Sequence, residues 1–171
     1  MSYTFLVVLI LHALCGALWV GVAVFSAMFL TPAARDLGPD GMKIMLALRK
    51  RGFVAYIPVI AVVTVLSGIW LYWRFTAGFS AEVTHSRTGM AYGIGGAFGL
   101  LGLIIGGAVL SRSIAQAMKL GTEAASLPDG PDRAQRVARV NALRQRAATS
   151  GQLVAVLVLI AITLMVIARY L

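Results

Sequence analysis

Four stretches of this chain carry no charged side chain: Met1 to Ala34, Gly52 to Trp73, Thr88 to Ser111 and Ala147 to Ala168, which are 34, 22, 24 and 22 residues long. Within them apolar residues fall on every side of a helix, the pattern of a segment solvated by lipid rather than by water. About 20 apolar residues at 1.5 Å rise cross a ~30 Å hydrocarbon core, so each stretch crosses once and none crosses twice. A lone span must satisfy its own backbone hydrogen bonds, which requires helices. Transmembrane strands would instead alternate apolar and polar residues over ~10-residue segments. The pattern predicts an all-α membrane protein with a single domain over 1–171. It is an antiparallel bundle of four transmembrane helices, with spans at about 3–31, 53–74, 88–111 and 148–169. The connections at 35–51 and 112–146 fall on one side. The first stretch has no basic residue before it and far exceeds the ~7–15 apolar residues of a secretion signal, so it is expected to remain as a span.

Composition narrows the class further. Hydrophobic residues make up 60% of the chain and charged residues 12%, against about 45–50% and about 25% in soluble domains, which excludes a water-soluble globule. The basic residues set the orientation. Arg35, Lys43, Arg49, Lys50 and Arg51 lie in the first connection, and Arg112, Lys119, Arg133, Arg136, Arg139, Arg144 and Arg146 in the third, leaving only Arg74, Arg87 and Arg169 for the opposite side. The positive-inside rule puts both long connections in the cytoplasm and both termini outside, in what is expected to be a bacterial cytoplasmic membrane. Tyr3, Trp70, Tyr72, Trp73, Tyr92 and Tyr170 then fall near the outer interface as aromatic anchors. The net charge of +9 would point to nucleic acid in a soluble protein. Here the cations flank spans without interleaved aromatics, so they are read as topology signals and contacts to anionic headgroups, with no nucleic-acid partner.

The small, acidic and proline-containing segment from Leu120 to Asp132 reads as a loop. Pro131 and Asp132 suit a first helical turn, from which one helix is expected to run through Arg133–Arg146 into the fourth span. About 38 residues at 1.5 Å make a rod of roughly 57 Å, half of it projecting or lying on the inner surface. Asp40 is placed to cap a shorter helix before the second span. Both inner segments read as solvated or headgroup-facing helices rather than a second domain.

Eight of the eighteen glycines sit in the third span, and Gly95, Gly99, Gly102 and Gly106 follow i, i+4, i+7, i+11 spacing. Such a stripe lets another backbone approach closely. The spacing leaves the partner open: another span, a second protomer, a subunit of a larger membrane complex, or a flat cofactor. It is not a dinucleotide fingerprint, because no strand precedes it.

Candidates for chemistry are few. His12 lies about 13 Å along the first helix from Tyr3, in the outer half of the bilayer, where an imidazole needs a hydrogen-bond partner or a metal. His12, Gly16, Trp19 and Ala23 share one helix face. Two readings stand side by side: a ligand, or a neutral histidine hydrogen-bonded to a neighbouring helix, for example to Ser67 or Thr64. His85 lies in the outer connection near Glu82, where solvation is the simpler role and a shared metal or haem site with His12 the sharper one. Cys15 and Met90 are the other soft donors on that side, each ordinarily a packing residue. A single cysteine forms no intramolecular disulfide. No carboxylate enters any span, which argues against an acid-based proton or cation path, and no catalytic set is present.

The stretch Leu11-His12-Ala13-Leu14-Cys15-Gly16-Ala17-Leu18-Trp19-Val20-Gly21 resembles a first-helix pattern of membrane proteins similar to the copper resistance protein D (CopD-like) family. More distantly it resembles HemJ-type protoporphyrinogen oxidases. Thr31-Pro32 and Ser67-Gly68 bring it nearest to uncharacterised four-helix relatives of that group. The resemblance covers the first two spans. It implies that His12 matches a histidine proposed to hold haem or copper, with Trp19 and Gly21 shaping its surroundings. The oxidases are shorter and carry basic residues at functional membrane positions, and the copper-resistance members have more spans and histidines, so neither activity is carried over. The expectation is a small integral membrane protein binding haem b or copper through His12, with Trp19 and Met90 lining the cofactor and His85 as a second metal donor. The alternative is a non-catalytic accessory subunit, packing through the glycine stripe into a homo-oligomer or larger complex.

Overall fold

A computed structural model describes residues 2–171. Six helices are present among them and no strand: α1 (Tyr3–Asp36), α2 (Pro39–Lys50), α3 (Phe53–Phe75), α4 (Ala81–Thr84), α5 (Arg87–Ala125) and α6 (Pro131–Ala168). The four long ones are long and apolar enough to cross a membrane, as the charge-free stretches require.

Cross-helix contacts fix the direction of each span. The Phe5 ring lies 6.4 Å from Trp70, Phe75 lies 5.3 Å from Tyr92, and Arg35 donates to the Gln145 side-chain oxygen at 3.2 Å. The bundle is therefore antiparallel. One end gathers both termini and the aromatic anchors, and the other gathers the arginine-rich connections. α1 packs on α3 and α6, and α5 packs on the same two helices, so α1 and α5 face each other across the bundle.

Trp19 fills that diagonal. Only 4% exposed, it clusters with Ile60 and Ala61 of α3 and Val154 and Val158 of α6. A Cβ added to Gly102 of α5 would lie 3.7 Å from its indole. One aromatic side chain thus touches all four spans, and much of the remaining core is alanine and valine, as expected where close backbone approach replaces the hydrophobic effect.

Beyond the apolar stretches, α5 and α6 continue as a helical hairpin. Ser113, Ala117 and Ala124 are buried on one side and Val140 on the other, with Ala147 and Ser150 continuing the same face into the fourth span. Arg136 pairs with Glu123 across it, and Arg133 with Asp129 near its tip. Within the 112–146 connection, the loop expected from Leu120 to Asp132 is shorter: the helix reaches Ala125, and only about five residues turn the chain. The segment is amphipathic, and its alanine face finds α6 rather than water. The single helix from Pro131 into the fourth span is as expected, 38 residues long.

At the same end, the tail of α1 and helix α2 form a second, shorter elbow. A Cβ on Gly41 would lie 1.9 Å from the Ala34 carbonyl oxygen, so only glycine permits this approach. Gly52, at φ 82°, makes the left-handed turn into α3. Two spans also contain a π-helical turn, Ser26–Leu30 in α1 and Gly106–Ser111 in α5. In the second, Ser111 Oγ donates to the Gly106 carbonyl at 2.9 Å.

Candidate functional site

The α1–α3 seam carries a polar cluster inside the apolar spans. His12 Nδ1 lies 2.8 Å from the Thr64 carbonyl oxygen and 3.2 Å from Ser67 Oγ. A carbonyl oxygen can only accept, so Nδ1 carries the proton and donates. Ser67 spends its own hydroxyl hydrogen within α3, donating to the Val63 carbonyl at 2.6 Å, which leaves its oxygen free to accept. Thr64 likewise turns its hydroxyl back onto the Ile60 carbonyl at 2.7 Å. In the neutral ring, Nε2 then keeps its lone pair, and no hydrogen-bond partner for it is present among the described residues.

Gly68 makes room for this ring. A Cβ there would sit 2.8 Å from His12 Cε1 and 3.3 Å from Nδ1, so the imidazole edge lies flat against bare α3 backbone. Gly16, one turn beyond His12, brings its backbone close to the Thr64 methyl group. The sequence sets up the contact: small residues flank the histidine on both helices, and the antiparallel register brings position 12 opposite 64–68.

The arrangement is an imidazole oriented by a backbone carbonyl through one nitrogen, with the other available as a donor. Metal-ligating histidines are held in the same manner, because the outer hydrogen bond selects the tautomer and fixes the ring plane. The expected partners Thr64 and Ser67 are those found, both on Nδ1, while Nε2 has no hydrogen-bond partner among the described residues.

The other expected site residues lie elsewhere. Trp19, two turns along the same face, is a core residue whose indole is enclosed by α3 and α6. Cys15 is half-buried and packs against that cluster. His85 is exposed in the turn after α4, and Met90 is 46% exposed near the start of α5. No group of three or more histidine, cysteine or acidic side chains suited to a metal ion occurs among the described residues. His12 and His85 are therefore not drawn into such a cluster.

The glycine stripe divides. A Cβ on Gly95 would lie 3.2 Å from the Ala161 carbonyl oxygen, and one on Gly102 3.3 Å from Val158 Cγ1, so both are packed on α6. Gly99 and Gly106 would meet nothing within 4 Å, as would Gly96 and Gly107. The packed and uncovered members are offset along the helix: at 100° per residue Gly99 is rotated about 40° from Gly95, and Gly106 opens the π turn, so within this chain only Gly95 and Gly102 are used. The role of Gly68 was carried in the sequence only by its place after Ser67. The π turns left no signal beyond Gly106-Gly107 and nearby serines.

No protein-family model, curated protein or solved structure matches this chain.

Proposed function

We propose that this integral membrane protein binds haem b, with His12 Nε2 as the iron donor. The observation that supports the reading is the fixed tautomer: Thr64 and Ser67 hold Nδ1, and Nε2 faces no protein partner. A single donor also favours haem over copper. A bare copper ion needs two or more soft or imidazole donors from the protein, whereas a porphyrin brings four nitrogens of its own and asks the chain for an axial ligand. Bound there, haem would supply one-electron chemistry. The chain's own part is to orient the imidazole and to keep the seam apolar. The membrane proposed is a bacterial cytoplasmic one, with the arginine-rich end inside.

The test is to purify wild type and His12→Ala in detergent from cells supplied with haem precursor, then compare visible spectra and metal content. The expected result is a Soret band in wild type, lost in a variant that keeps its helical circular dichroism. An identical, colourless and metal-free pair would overturn the proposal.

A second reading, an accessory subunit, rests on the uncovered glycines of α5, where Gly96, Gly99, Gly106 and Gly107 leave bare backbone open to a neighbour. Native mass measurement after mild solubilisation checks it, and a lone monomer counts against it.

A further inference from the structure

The two hairpins at the arginine-rich end differ in what they leave uncovered. The α5–α6 stalk pairs Arg133 with Asp129 and Arg136 with Glu123, and of its large apolar residues beyond the spans only Val137 is exposed. Arg112, Lys119, Arg139, Arg144 and Arg146 of the stalk enter no ion pair among the described residues, so it is the scarcity of exposed apolar side chains that sets the stalk apart. The elbow made by the tail of α1 and by α2 is the reverse. Beyond the first span, Leu37, Ile44 and Leu46 are 51%, 44% and 41% exposed.

Cations stand beside these apolar side chains without carboxylate partners. Arg35 donates to the Gln145 amide oxygen and Arg49 to the Met118 sulfur. Among the described residues, neither these two nor Lys50 and Arg51 enter an ion pair. Lys43 alone on the elbow has an acidic partner, Asp40.

The position of the elbow says what covers it. α3 is 23 residues long, about 35 Å, little more than the ~30 Å it must cross. Phe53 therefore begins at the edge of the hydrocarbon, and α2, joined to it through Arg51 and Gly52, starts at headgroup level. The exposed apolar surface is also continuous along α1, through Phe25 and on to Met28 and Phe29. An exposed apolar strip bordered by unpaired cations at that depth matches a layer with acyl chains on one side and phosphates on the other.

We infer that the α1–α2 elbow is seated in the headgroup layer and binds the phosphates of anionic phospholipids, whereas the α5–α6 stalk stands in water. The cations supply charge-assisted hydrogen bonds to phosphate oxygens, and the apolar residues enter the acyl boundary.

The test uses the full chain on a Cys15→Ala background, with one fluorophore on Ile44→Cys or on Val137→Cys. The protein is reconstituted in vesicles of phosphatidylcholine alone, or mixed with phosphatidylglycerol, containing a lipid-borne quencher. Position 44 is expected to quench severalfold more than position 137, more strongly with phosphatidylglycerol, with the increment fading as salt rises. Lys50→Gln/Arg51→Gln is expected to weaken the anionic-lipid response by roughly tenfold or more, since each cation near the surface contributes about fivefold. Lys50→Arg/Arg51→Lys is expected to retain it, which separates charge from folding. Equal quenching at the two positions would overturn the inference, as would an effect indifferent to both phosphatidylglycerol and salt. Should the glutamine variant not reconstitute, the salt titration of the labelled parent decides.

Discussion

The α1–α3 and α5–α6 seams solve the same problem in two ways. Lipid gives helices no hydrophobic reason to associate, so each seam needs packing or hydrogen bonds. On α5–α6, Gly95 and Gly102 bring backbones together, and no side-chain hydrogen bond crosses the seam within the spans among the described residues. On α1–α3, an imidazole reaches across to a carbonyl and a serine. The first solution leaves nothing chemically available. The second leaves a nitrogen lone pair among the spans, which is why the candidate ligand site falls on that seam.

Trp19 joins the two seams, so its loss is expected to do most damage. Trp19→Ala should cost about 3–5 kcal/mol, read as a lowered denaturation midpoint in detergent, and a cost below that of the other variants would mean the diagonal contact is not central. Next comes a matched pair on the glycine helix. Gly95→Val presses on the Ala161 backbone and is expected to destabilise by about 1–3 kcal/mol, while Gly99→Val, facing open space, should leave a monomer nearly unchanged. Equal losses would erase the division of the stripe. On the polar seam, Gly68→Ala should displace the imidazole and weaken any visible absorption of the purified protein while leaving the fold intact. His12→Ala should cost only about 0.6–1 kcal/mol, as an interhelical hydrogen bond in lipid does. The smallest effect is expected from Gly99→Ala, which meets only open space and should leave the thermal midpoint unchanged or slightly raised.

The spans were legible because lipid imposes one severe rule, the exclusion of charge, and that rule is written residue by residue. The single helix from Pro131 was legible for a related reason, a helix-starting proline followed by no further breaker. The contact of His12 with Thr64 and Ser67 could be anticipated from antiparallel register alone. What stayed hidden depends on where neighbours stand. Gly99 and Gly95 look alike in a periodic pattern, yet 40° of rotation takes one off α6. Residues 112–125 carry charges and small residues that read as a connection, and only the presence of Val140 and Ala147 opposite turns Ala117 and Ala124 into a helix interface. Gly68 matters because an imidazole lies on it, and no single-helix pattern records that.

α6 runs unbroken from the stalk tip through the arginine-rich level to the residue that packs on the indole. Val158 lies about 16 Å to one side of Ala147 along that rod, and Pro131 about 24 Å to the other. With no break in the helix between them, the stalk tip and the contact on Trp19 belong to one continuous rod.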